Sequence, residues 1–185
     1  MAAGKRPSMT ILEQVCFGKY YFPVAMVLRN CILISSLLTI SEAWYNLSST
    51  DVTELEKVDE DLLRKVLECP ISTPIEMLYL ELGVSTVWSI IRSGRLNFLQ
   101  YTLQEEEDYL IYRFLNAQME TSVKNGWCLT AAQNIEVYKL GVNVNEIETM
   151  SESTFKALVK KKEKEATLEY LNNGKTGKNT LKYFI

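Results

Sequence analysis

The stretch Thr73–Tyr101, TPIEMLYLELGVSTVWSIIRSGRLNFLQY, decides how the chain is read. Thr73 suits an N-cap, Pro74 suits a first helical position where no N–H is needed, and Glu76 stands three residues past the cap. An apolar run follows, and Gly83 falls where a helix needs a left-handed residue to stop. A second helix restarts near Ser85 and runs toward Tyr101. A helix that is apolar on almost every face has to be surrounded by others, so this pair belongs in the middle of a helical domain.

Upstream of it, Pro23 opens a helix reaching to about Tyr45. Val24, Val27, Leu28, Cys31, Ile34 and Leu38 recur three and four apart as a core-facing stripe, with Arg29 and Asn30 off that stripe. A loop of cap residues, NLSST, comes next. Asp51 and Glu54 then form a capping box for a helix over 52–68 that buries Val52, Leu55, Leu62, Leu63 and Val66 and turns Asp59, Glu60 and Asp61 to water. Cys69-Pro70 ends it, because the residue before a proline is pushed out of the helical region. Downstream, Glu105–Asp108 suit the first turn of a helix carrying Leu110, Ile111, Phe114, Leu115 and Met119. Asn125-Gly126 marks a turn, Trp127 to Leu140 forms a further helix ended at Gly141, and Asn143 with Glu146 begins a one-turn helix. Ser151 or Ser153 caps the last long helix, to about Asn172. No run of strict apolar alternation is long enough for a strand, and no segment repeats with a fixed period. The expectation is an all-α protein, an irregular bundle of about seven or eight helices with short connections. It places one helical domain over 11–172, a disordered start over 1–10 and a flexible basic tail over 173–185.

Composition narrows the function. The 185 residues are 47% apolar and 23% charged, as in an ordinary globular protein with a real core. A net charge of −3 argues against capture of nucleic acid by bulk electrostatics. The sign is uneven, however: seven acids stand against three bases from Asp51 to Cys69, and eight lysines against four acids from Ser151 to the end. A basic end behind an acidic body points to a polyanion or an acidic partner. The absence of histidine removes every Ser-His and Cys-His nucleophile arrangement and the commonest general base. Cys16, Cys31, Cys69 and Cys128 are spaced too widely for a metal knuckle and read as reduced and mostly buried. Neither G-x-x-x-x-G-K-[ST] nor G-x-G-x-x-G occurs, and neighbouring acids on a helix fan out around its axis instead of converging on an ion. The reading is therefore a chain with no catalytic residue, no metal and no cofactor. Its start, MAAGKRPSM, lacks the apolar core of a secretion signal, and Val24–Ile40 is broken by Arg29 and shorter than the ~20 residues that span a bilayer. The chain is expected inside the cell, in cytoplasm or nucleus, not secreted and not in a membrane.

Two basic clusters remain as candidates for nucleic-acid contact. Arg92 and Arg95 lie about one helical turn apart beside Trp88, Phe98 and Tyr101, a composition that suits a backbone-gripping surface and suits equally a helix with two exposed arginines and a packed aromatic face. Lys160, Lys161 and Lys164 form the second cluster, which reads as a solvated face or a polyanion site. Lys162, beside them, falls near the apolar stripe of Phe155, Leu158, Val159 and Ala166, where it has to snorkel or meet a partner.

Seven stretches in order carry a resemblance: Phe17–Leu47, the LEKVDEDLLRKVLE helix, TPIEMLYLELGV, IIRSGRLNFLQYTLQ, YLIYRFLNAQ, VKNGWC and the closing MSESTFKALVKKK…EYL. Together they resemble the region just C-terminal to the polymerase core in reverse transcriptases of animal non-LTR retrotransposons, over about Ile11 to Leu171. The resemblance implies a helical, thumb-adjacent piece that holds an RNA template or RNA–DNA hybrid and performs no chemistry. It puts the arginines of the family's basic R-L-x-F-L stretch on Arg92 and Arg95. The family often has two adjacent bases before the leucine and a histidine pair after it; here Ser93-Gly94 precede Arg95, and Gln100 and Tyr101 follow. The Asp-Asp hairpin of the polymerase palm does not occur in this sequence. The resemblance thus implies a fragment of an element whose partners are nucleic acid, the missing palm or another protein. A host-retained helical module that binds protein and no nucleic acid is the alternative.

Overall fold

The computed structural model describes residues 21–44, 47–121 and 126–173. The expected disordered start and, past Asn173, the basic tail lie outside them. Among the described residues the protein is all-α, with eight helices and no strand. They are α1 (Tyr21–Leu28), α2 (Ser49–Val66), α3 (Ile75–Leu82), α4 (Val87–Gln104), α5 (Leu110–Thr121), α6 (Trp127–Val137), α7 (Val144–Thr149) and α8 (Glu152–Asn173). They form two compact units, one of residues 21–40 and 48–88, the other of residues 41–44, 47, 89–121 and 126–173.

The first unit is built on a face of α1 that the apolar spacing does not pick out. α1 runs on as a π-helical segment, Arg29–Ile34, and one last α-turn, Ser35–Leu37. Its buried residues are Ala25, Arg29 and Leu33, four apart, whereas Val24, Val27 and Cys31 are exposed. Four α-helical residues drift by about 40° from a straight line, and the extra residue in a π turn takes that drift back out. The wider turn thereby keeps Ala25, Arg29 and Leu33 on one face. The expected stripe of Val24, Val27 and Cys31 is therefore corrected, and so is the expected placing of Asp59 in water. Arg29 and Asp59 are 2% and 0% exposed, and the guanidinium grips the carboxylate with two bonds, Nε to Oδ1 at 2.6 Å and Nη2 to Oδ2 at 2.5 Å. Nη1 donates to Asn30 Oδ1 at 3.1 Å and Nη2 to the Ser85 carbonyl at 3.2 Å. The Tyr79 hydroxyl, 3.4 Å from Asp59 Oδ2, closes the cluster. Burial and the adjacent carboxylate raise the Tyr79 phenol well above its ordinary pKa, so it stays a donor. The same unit holds two apolar clusters, one of Ala25, Leu33, Leu62 and Val66, the other of Leu63, Leu78 and Tyr79.

Helix ends in this unit follow from capping chemistry. α1 stops at Leu37, short of the expected Tyr45, where Ser35, Ser36 and Thr39 turn their hydroxyls back onto the carbonyls of Asn30, Leu33 and Ser35. Ile40 then takes a left-handed φ of 58°. The α2 cap is Ser48, three residues before the expected one. Its hydroxyl accepts from the Asp51 N–H, and the Asp51 carboxylate accepts from the Ser48 hydroxyl and from the Ser48 N–H; the hydroxyl first and then the N–H hold the Asp51 carboxyl below its usual pKa. α2 ends in a Schellman turn, with Glu68 left-handed and the Cys69 N–H reaching the Arg64 carbonyl, before Pro70 is met. Gly83 ends α3 as expected, with φ of 59°. The start of α3 differs: Pro74 is the N-cap and makes no side-chain cap bond.

The second unit packs α5 to α8 about α4. Leu96, Leu99 and Leu103 of α4 meet Leu115, Trp127, Ala131, Tyr138, Ile147, Phe155 and Val159. Gln100 and Gln104 donate to the Met150 carbonyl at 2.9 and 2.8 Å and so satisfy the end of α7. Asn143 and Glu146 form the reciprocal cap of α7 that their spacing predicts. Glu105–Asp108 do not form a helical first turn; they are the link between α4 and α5.

Asp59→Ala leaves the Arg29 charge buried and unpaired and should lower unfolding stability by about 3–5 kcal/mol, whereas the paired Arg29→Met/Asp59→Leu variant should recover most of that loss in urea melts. At Gly94 an added Cβ meets only the Glu42 Cβ, at 3.8 Å. Gly94→Ala should accordingly raise stability by about 0.5–1 kcal/mol, read as a higher denaturation midpoint.

Candidate nucleic-acid interface

The two basic clusters have opposite fates. Arg95 lies on the inner face of α4 and is 1% exposed. Its Nη2 donates to the Trp44 carbonyl at 2.6 Å, and the Trp127 indole N–H donates to the Glu42 carbonyl at 2.7 Å, so two buried donors hold the 41–44 segment. Desolvation, with a smaller push from the Arg92 charge, lowers the Arg95 pKa. Arg92 is half-buried, and its charge acts on Arg95 and on the buried Tyr138 phenol. One position on, the Ser93 hydroxyl bonds Glu163 of α8 at 3.1 Å. The expectation that both arginines stand at the surface is corrected for Arg95: apolar residues at 91, 96 and 99 turn that face of α4 inward, and a carbonyl lies there to receive the guanidinium. Of the neighbouring aromatics, Phe98 packs edge-on against Trp127 with centroids 5.4 Å apart, and Tyr101 is exposed.

The α8 lysines do share a solvated surface. Phe155 and Val159 bury one side of α8; Lys160, Lys161 and Lys164, within about 100° of one another at 100° per residue, occupy the opposite side and are all exposed. Among the described residues no ion pair engages these three. Lys156 is instead paired with Glu152, and Lys162, half-buried as its position beside the apolar stripe predicts, is bonded to Glu165 at 2.9 Å. Over residues 156–165 five lysines stand against two glutamates. This surface can contact phosphates as a row of point charges, and the three lysines themselves offer no planar fork with which to read a base.

Other sites offer less chemistry. An open apolar groove of about 320 Å³ lies in the second unit, lined by Leu115, Met119, Leu129, Ile135 and Val144 among others, and no charged residue lines it. Among the described residues no group of three His, Cys, Asp or Glu side chains is placed to hold a metal ion, and no helix is long and apolar enough to cross a membrane. Burial raises the Cys128 thiol pKa, opposite to what a reactive thiolate needs. Comparison of the chain with protein-family models, curated proteins and solved structures finds no match.

The surface that sequence reasoning missed is the outer side of α5, where Leu110 and Phe114 are exposed. A signal for it exists: Leu110, Ile111, Phe114, Leu115 and Met119 cover more of the helix circumference than one buried stripe can use.

Arg95→Met removes a buried charge-assisted bond. It should cost about 1.5–3 kcal/mol in denaturant melts while leaving nucleic-acid affinity of the folded chain unchanged.

Proposed function

We propose that the chain is a non-catalytic helical module of the kind that follows the polymerase core in reverse transcriptases of animal non-LTR retrotransposons. In this reading it contacts the phosphate backbone of an RNA template or RNA–DNA hybrid through the outer face of α8. The observation that carries the proposal is the shared exposure of Lys160, Lys161 and Lys164 on one helix side. The ordered resemblance of seven sequence stretches supports it, and so does the all-α architecture. The module's part is to hold: it supplies neither a carboxylate pair for two metal ions nor a nucleophile, and any polymerisation belongs to a palm carrying its own aspartates. With Arg95 inside the second unit, grip on the backbone falls to α8 and is electrostatic.

A second reading, a protein-interaction module without nucleic-acid binding, is favoured by one specific observation, the apolar surface left open on α5.

Salt separates the two. Three phosphate contacts release about three counterions, giving a slope near −2.7 in log affinity against log salt and about a 40-fold loss between 50 and 200 mM. Fluorescence anisotropy of a labelled RNA–DNA hybrid titrated with the chain should give that slope, and Lys160→Gln/Lys161→Gln/Lys164→Gln should flatten it. Absence of binding by the folded chain at low salt would leave the interaction reading.

A further inference from the structure

The junction of α4 and α5 in the second unit exposes apolar side chains next to a block of acids. Leu110 is 82% exposed and Phe114, one turn along the same side of α5, 59%; Tyr101 and Tyr109 are more than half exposed. Leu103 and Leu115, on the same two helices, fill the core, so the exposed four are surplus to it. Residues four apart on a helix touch, which makes Leu110 and Phe114 one ridge. Tyr101 of α4 is stacked on Phe98 with centroids 6.4 Å apart, and the Glu105 carboxylate beside it raises its phenol pKa. Glu105 is half-buried, and Glu106, Glu107 and Asp108 are exposed. With Arg113 as the one base among them, residues 105–114 carry a net −3.

We propose that this corner is a docking surface for a basic amphipathic helix of another protein. The partner lays its apolar side on Leu110 and Phe114 and sets its Lys or Arg residues against Glu105–Asp108. Charge complementarity selects that occupant: four carboxylates repel phosphate, so nucleic acid and anionic lipid are turned away from the apolar ridge. An apolar patch rimmed by polar groups is the ordinary form of a protein-binding site, and a helix laid on such a patch is a common way to fill it. The surface is distinct from the α8 lysines, and the proposal stands whether or not those bind nucleic acid.

The test uses the whole chain and two labelled synthetic peptides of about 18 residues, five helical turns, one alternating Leu and Lys at helical spacing and the other Leu and Glu with the same apolar side. Anisotropy titration should show the Leu/Lys helix binding at least ten times tighter. Leu110→Ser/Phe114→Ser, which keeps every charge, should weaken it at least ten-fold with an unchanged thermal melt, since both side chains are exposed. Glu106→Lys/Glu107→Lys should reduce the preference between the peptides. Equal binding of both peptides, or full binding by the Leu110→Ser/Phe114→Ser variant, would overturn the proposal. So would self-association of the free chain in sedimentation that the same variant abolishes, because the occupant would then be a second copy.

Discussion

A guanidinium has five N–H donors and a charge it cannot shed, so burying one commits everything around it to supply acceptors. Arg29 imposes that requirement on the first unit. Asp59 answers it from α2, Asn30 from the next position and Ser85 from the segment before α4, while Tyr79 of α3 completes the carboxylate's partners. One side chain thus fixes contributions from α1, α2, α3 and the Ser85 carbonyl together. The π-helical segment follows from the same demand, because it keeps Ala25, Arg29 and Leu33 facing the same way. Such a pair is not a large net source of stability, since removing two ions from water costs nearly what their attraction returns. Its effect is selective: an arrangement that separates Arg29 from Asp59 carries two buried charges without partners.

The second unit meets the same constraint with a different answer. Arg95 faces a backbone carbonyl, that of Trp44, instead of a carboxylate, and Trp127 takes the Glu42 carbonyl beside it. The segment is a single 3-10 turn, Ser41–Ala43, too short to satisfy all its own carbonyls, and becomes the natural place for two buried side-chain donors. Gln100 and Gln104 repeat the pattern at the end of α7. In both units, polar side chains on helices close the carbonyls that helix ends and links leave open.

This explains what could be read from the sequence. The all-α class and the number of helices were legible because they rest on local features: turn residues such as Gly83, caps such as Asn143 with Glu146, and apolar residues three and four apart. The buried side of α1 was not legible, because periodicity ranks Val24 and Val27 above Arg29 and cannot see that Asp59, thirty positions away, waits for it. The same blindness put Arg95 at the surface. An arginine's burial is decided by a distant acceptor, here the Trp44 carbonyl, and no local pattern announces one. Lys160, Lys161 and Lys164 were easier, since Phe155 and Val159 on the same helix fix which side is inward, and the half-buried place of Lys162 came from that same local geometry.

The surface chemistry then divides in a physically consistent way. On α8 the exposed cations are lysines, compact charges on flexible stems that suit phosphates at changing positions, while Arg29 and Arg95 are turned toward fixed acceptors inside. Glu163 and Glu165 are spent on Ser93 and Lys162 and leave the outer row of α8 positive. At the α4–α5 corner the sign is reversed and apolar side chains join it. A single ligand cannot satisfy both surfaces: a polyanion drawn to Lys160, Lys161 and Lys164 is repelled by Glu105–Asp108, and a basic helix drawn to the corner is repelled by α8. Two surfaces of opposite sign on one helical unit therefore select for ligands of opposite charge, because each repels what the other attracts.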